Sequence, residues 1–267
     1  HPYGLPTSGS IESVKAITVD DLRKLLAKVL ARDRLTIGVV GDISAAELGP
    51  LLDQTFGALP ASTVIAVIPD TNPKGAGVLK VVQKMIPQSQ VMFGGLGLKR
   101  DDPDWYAAYV LNYVLGGGGF SSRLNEEVRE KRGLAYSVYS YLHPLDHAAL
   151  YMGGVGTQNE RVGEVLTVIK EQIALAGENG ITEAELANAK TFLNGSFPLR
   201  LTSSVRIAGL LLAIQRNNLG IDYLNRRASL INAVTMADIL RVGKRLLRPE
   251  NLLIVVVGQP AGLSSSK

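Results

Sequence analysis

Residues 17–43 read ITVDDLRKLLAKVLARDRLTIGVVGDI, and residues 234–260 read VTMADILRVGKRLLRPENLLIVVVGQP. At an offset of 217 with no gap, these 27-residue stretches share eight identities: Thr18/Thr235, Asp21/Asp238, Leu30/Leu247, Leu35/Leu252, Ile37/Ile254, Val39/Val256, Val40/Val257 and Gly41/Gly258. Five further pairs exchange one apolar residue for another: Ile17/Val234, Val19/Met236, Leu22/Ile239, Leu25/Val242 and Val29/Leu246. Each copy opens on Thr-x-x-Asp, a pattern in which hydroxyl and carboxylate satisfy the free backbone N–H groups of a helix start. Each then runs as an amphipathic helix into an apolar segment closed by Gly, so the spacing predicts a helix followed by a strand in both. Shared cap, length and terminal glycine mark a duplication.

Residues 77–233 precede the second copy, whereas only residues 1–16 precede the first. The chain therefore reads as one complete repeat plus the tail of another, with the missing part of the first expected before His1. Residues 1–60 are expected to be the C-terminal remnant of a first domain, 61–77 a linker, and 78–262 a complete second domain. The linker carries Pro69, Pro73, Gly75 and Gly77, all breakers of regular structure. A remnant of about 60 residues buries only about 60% of its unfolded surface, so it is expected to lean on another domain or chain and to self-associate.

Composition narrows the function. The 267 residues are 46% hydrophobic, enough for a packed core, and contain no Cys, which excludes disulfides and thiolate metal sites. The net charge of +4 is spread along the chain without a basic cluster, so no nucleic-acid partner is expected. The longest apolar runs, 252–257 and 207–214, fall far short of the ~20 residues a membrane-spanning helix needs.

Within the complete repeat, strands are predicted at 78–85, 88–98, 134–142 and 148–156. Asp102 is expected to cap a helix with Pro103 at its first position. Further helices are predicted at 121–132, closed by Gly133, at 162–176, from the Thr182/Glu185 box through Leu193, and at 203–215 and 223–233. Paired strands followed by a block of helices predict an α+β fold: a duplicated two-layer domain with an antiparallel-rich sheet packed by helices.

Familiar chemistries are mostly absent. His143 and His147 stand four apart, but Pro144 and the β pattern put them on a hairpin turn, where that spacing does not share a face. There is no His-x-x-Glu-His, no metal-ligand set and no Gly-x-Ser-x-Gly. Gly116–Gly119 lacks the Lys-Ser/Thr of a phosphate loop, and the glycines at 94, 95 and 97 do not continue as a dinucleotide fingerprint.

Residues 115–140, LGGGGFSSRLNEEVREKRGLAYSVYS, carry the specific signal. Gly116, Gly117, Gly118 and Gly119, then Ser122-Arg123-Leu124, Arg129 and Gly133-Leu134-Ala135-Tyr136 resemble the second domain of the pitrilysin/insulinase-type zinc metallopeptidases, which include the mitochondrial processing peptidase. That family is built of duplicated α+β domains, in agreement with the repeat. The resemblance implies the non-catalytic part of such an enzyme. Its zinc would be held elsewhere, by a partner subunit or a missing first domain, with no cofactor and no catalytic residue in this chain. It further implies that Arg129 and Tyr136 bind a peptide or protein substrate, with Gly116–Gly119, Ser122 and Arg123 as the supporting loop, in a homo- or hetero-oligomer. The chemistry suits such a role: a guanidinium offers fixed donors to peptide carbonyls, and a phenol can donate to a carbonyl under attack. On the residues alone, the favoured reading is that Arg129 pairs with Glu126 or Glu130 and Tyr136 packs in the sheet. The alternative function is a catalytically silent structural or peptide-binding subunit, like the core proteins of a respiratory complex.

Overall fold

Thr18 and Thr235 both form the reciprocal caps expected of them: each hydroxyl accepts from the backbone N–H of the Asp three residues on, and that Asp accepts from the Thr backbone N–H at 2.9 Å. The computed structural model describes residues 1–266. In chain order its elements are α1 (Ile11–Lys15), α2 (Val19–Val29), α3 (Ala45–Phe56), β1 (Leu79–Gln83), β2 (Gln88–Leu96), α4 (Trp105–Asn112), β3 (Ala135–Pro144) and β4 (Ala149–Gln158). There follow α5 (Val162–Asn179), α6 (Glu183–Gly195), α7 (Ser204–Arg216), α8 (Tyr223–Asn232), α9 (Met236–Leu246) and β5 (Leu253–Gly258). Contacts divide the chain into two units, 1–71 with 198–221, and 72–197 with 222–267.

The larger unit has the expected α+β layering. Its sheet runs β1-β5-β2-β4-β3, with β1 and β5 parallel and the other three pairings antiparallel. Side chains alternate across it: Val91, Phe93, Val138, Tyr151, Val155, Ile254 and Val256 are buried against the helices. Met92, Leu96 and Tyr139 lie on exposed positions of the same strands. Beneath the sheet, Val165, Ile169 and Ile173 of α5 and Ile239, Val242 and Leu246 of α9 complete a single core. The fit between α5 and α9 is close, because a Cβ on Gly243 would lie 2.8 Å from the Ala176 carbonyl oxygen.

One helix begins later than expected. α4 starts at Trp105, and Asp104 occupies its N-cap position without a capping bond from its side chain. Asp102 instead accepts from the Asp104 backbone N–H at 2.9 Å and from Arg245 at 2.7 Å, while Asp104 accepts from Arg241 at 2.6 Å. With both carboxylates drawn to α9, the first turn forms as a separate turn before the helix.

The smaller unit corrects a second expectation. Residues 35–40, the counterpart of β5, form no strand. β5 is hydrogen-bonded on both sides, by β1 and β2; residues 35–40 have no paired strand among the described residues, and an isolated strand leaves its backbone groups unmatched. Here α7 lies over the segment, so that a Cβ on Gly38 would come 2.9 Å from the Ala208 carbonyl oxygen. α2 keeps the apolar stripe of its counterpart, but Leu22, Leu25 and Leu26 are each more than half exposed. No single helix among the described residues is long and apolar enough to cross a membrane.

Candidate functional site

The glycine-rich run is built to pass tightly under β3. α4 leads into a wide π turn (Tyr113–Gly117), and there Gly116 abuts the β3 backbone: a Cβ would lie 2.7 Å from Ser140 N. Asn112 fastens the same point, its Nδ2 donating to the Ser140 carbonyl at 3.2 Å and its Oδ1 accepting from Ser140 Oγ at 2.8 Å. Gly119 then takes φ +61°, a left-handed conformation that reverses the chain into a short turn at Gly119–Ser121. Two hydroxyls hold that turn. Ser121 Oγ donates to the Gly118 carbonyl at 2.9 Å, and Ser122 Oγ to the Gly119 carbonyl at 2.7 Å.

A second π turn (Asn125–Glu130) carries Arg129. Leu124 and Val128 anchor it in the core, both fully buried, and Asn125 Nδ2 donates to the Val138 carbonyl of β3 at 2.7 Å. Gly133, at φ +59°, reverses the chain after the turn, and β3 begins two residues later at Ala135. The ladder with β4 then slips: Ala135 faces Thr157, yet Val138 faces Val155, so three steps on β3 span two on β4. Tyr136 sits in this bulge. A bulge re-aims the side chains at it, and Tyr136 emerges 82% exposed.

Arg129 and Tyr136, seven residues apart in sequence, are thereby brought together. The Arg129 Cζ lies 5.0 Å from the centre of the Tyr136 ring and 4.4 Å from that of Phe120. Among the described residues its carboxylate neighbour is Glu130, at 3.5 Å from Nε. The adjacent cations are better matched: Lys131 meets Glu127 at 2.6 Å and Glu126 at 3.0 Å, and Arg132 also meets Glu127. The hydrogen bonds from Lys131 and Arg132 hold the Glu127 carboxyl below the usual range, and the bonds Lys131 donates to Glu127 and Glu126 push its own ammonium up. Arg129 Nη1 is buried and has no hydrogen-bond partner among the described residues. A buried donor without an acceptor is costly.

Arg123 turns another way. Its Nε and Nη2 donate to the two carboxylate oxygens of Glu185, each at 2.6 Å, and Nη1 reaches the Gly180 carbonyl at 3.2 Å. Glu185 also closes the Thr182 capping box of α6. Burial works to raise its pKa, but the bonds from Arg123 and Thr182 prevail and bring it down to about 2. Phe120 is the residue that sequence reasoning passed over. The available signal was one large aromatic between Gly119 and Ser121, in a turn with no core to bury it.

His143 and His147 flank the turn between β3 and β4, closed by Leu145 N donating to the Ala148 carbonyl at 2.8 Å. Among the described residues no three His, Asp or Glu side chains converge as a metal site, and none of them form a set that fits a zinc ion.

Residues 16–193 match a family model described as the peptidase M16 inactive domain. A Streptomyces coelicolor protein named as an uncharacterized zinc protease is 33% identical over 204 residues, covering 74% of this chain and 44% of that protein. A Helicobacter pylori protein named as the non-peptidase homolog YmxG is 35% identical over 204 residues, 74% of this chain and 46% of its own length. The chain thus spans about half the length of the curated relatives it matches. In structure it is similar to a peptidase M16 inactive domain from Pseudomonas fluorescens, with TM-score 0.89 and 32% identity over 99% of this chain and 62% of that one.

Proposed function

The chain belongs to the peptidase M16 inactive-domain family, and on that footing we propose that it serves as the non-catalytic portion or subunit of a zinc metallopeptidase. It holds peptide substrate through Arg129 and Tyr136. Hydrolysis takes place at a zinc site outside this chain, in a partner subunit or in another domain of a longer protein. One observation carries the reading: a motif of 26 residues folds so that an exposed phenol and a guanidinium with an unmatched buried donor share one spot. The zinc-protease names of relatives about twice as long support a metal centre beyond this chain.

A second reading is favoured by the non-peptidase name of the Helicobacter pylori relative: a silent structural or peptide-binding subunit. One experiment separates the two. Arg129→Ala and Tyr136→Phe are compared with the parent in peptide cleavage by the assembly with its zinc-bearing partner or domain, alongside thermal melts. The clamp reading expects each variant to lose about 10²–10³ in rate, the cost of about 2.7–4 kcal/mol for one donor lost at a reacting carbonyl. Melting should move little, since Tyr136 is exposed and its variant loses only a hydroxyl. Near-normal cleavage by both variants sinks the clamp and leaves the structural role.

A further inference from the structure

Phe120 is 71% exposed, on a turn whose hydrogen bonds all come from its neighbours. So large an apolar ring gains little from burial at that position, and no bond of the turn requires an aromatic there. What the ring does contact is the Arg129 guanidinium, at 4.4 Å from Cζ, nearer than Tyr136 at 5.0 Å. Glu130 restrains Arg129 weakly, through an exposed carboxylate at 3.5 Å. The orientation of the guanidinium is therefore set mainly by two ring faces rather than by hydrogen bonds.

From this we infer that Phe120 is a positioning residue: together with Tyr136 it fixes the plane of Arg129, so that the exposed edge of the guanidinium is pre-aligned for the backbone carbonyls of an extended peptide. The peptide part rests on the reading of Arg129 and Tyr136 given above; the positioning part does not. A long flexible side chain that is already ordered loses less entropy when its ligand arrives, which is how a residue touching no substrate strengthens binding. The turn chemistry fits this purpose. Gly119 at φ +61° and the two serine hydroxyls make a rigid bracket that holds Phe120 out from the core and against the guanidinium.

The test uses the whole 267-residue chain with Phe120→Leu, which keeps apolar bulk but removes the ring face, and Phe120→Tyr, which restores it. The first readout is the order of the Arg129 Nε–H group by ¹⁵N relaxation in the free protein. The second is affinity for a fluorescent, disordered 20-residue peptide. In Phe120→Leu the order parameter should fall clearly below that of the parent chain. Peptide Kd should rise about tenfold in the same variant. Phe120→Tyr should keep both at the parental value, and neither variant should change the melting temperature appreciably. An Arg129 as ordered in Phe120→Leu as in the parent overturns the inference whatever the peptide does, and so does a much lower melting temperature, which would reveal a role in folding. If Arg129→Ala binds the peptide as well as the parent does, the peptide part falls with the reading it rests on, and the relaxation result still decides the positioning part.

Discussion

Gly116 has no room for a side chain, and Gly119 has room but the wrong backbone for one. These two glycines separate two demands that a run of four glycines conceals. A Cβ at 116 would press on Ser140 N at 2.7 Å and on Leu124 Cδ1 at 2.9 Å, the first an atom of a paired strand that cannot yield. At 119 the space is open, and only the left-handed backbone at φ +61° resists a side chain. Gly116→Ala should therefore cost about 1–3 kcal/mol by overpacking. Because Ser140 lies two residues beyond Val138, where the bulge ends, the same variant should also disturb Tyr136 and weaken peptide binding. Gly119→Ala should cost about 1–2 kcal/mol from backbone alone and spare the β3 contact. Chemical denaturation gives both costs, and equal loosening of the β3 backbone at Ser140 in the two variants, read by amide hydrogen exchange, would contradict the division.

Arg123 and Glu185 act between elements, joining the start of the Arg129-bearing turn to the N-terminus of α6. The Glu185 carboxyl titrates at about 2 in the folded chain against an ordinary value near 4.5. A carboxylate whose folded pKa is depressed stabilises above its unfolded pKa, and that contribution fades as pH falls through the folded one. Glu185→Gln should accordingly melt below the parent at neutral pH. The gap should begin to close near pH 4.5 and be gone near pH 2. A gap constant from pH 7 to 3 would show that shape, not charge, is what Gln fails to supply. Elements of this local kind were legible in the sequence: the Thr182 box, like those at Thr18 and Thr235, involves groups three residues apart. The start of α4 was not, because Asp102 and Asp104 are claimed by Arg241 and Arg245, more than a hundred residues away. Nor was the bulge at Tyr136, since a slip between two strands exists only in their pairing. The motif singled out Arg129 and Tyr136; the contact of Arg129 with Phe120 needed the turn geometry of Gly119.

For the whole molecule, the repeat provides its own control. Ile239, Val242 and Leu246 of α9 are buried in the core of the larger unit. Their counterparts at the same offset, Leu22, Leu25 and Val29 of α2, remain 51%, 53% and 37% exposed. The same pattern is thus satisfied in one copy and not in the other, and neighbouring Leu26, also 53% exposed, broadens the stripe. Contiguous apolar surface of this kind mediates association, since water is released when two such faces meet. The chain is therefore expected to self-associate through α2, with a scattering mass that rises with concentration. Replacing Leu22 and Leu25 together by Ser should abolish the rise. It should do so without lowering the melting temperature of the dilute chain, because side chains already half in water have little burial to lose. α9 gives the matching control in the opposite direction: Ile239→Ser places a hydroxyl in a filled core and should destabilise strongly. A parent chain that stays monomeric at high concentration would show that the exposed stripe of α2 is not an association surface, and that duplication of a pattern does not entail duplication of its packing.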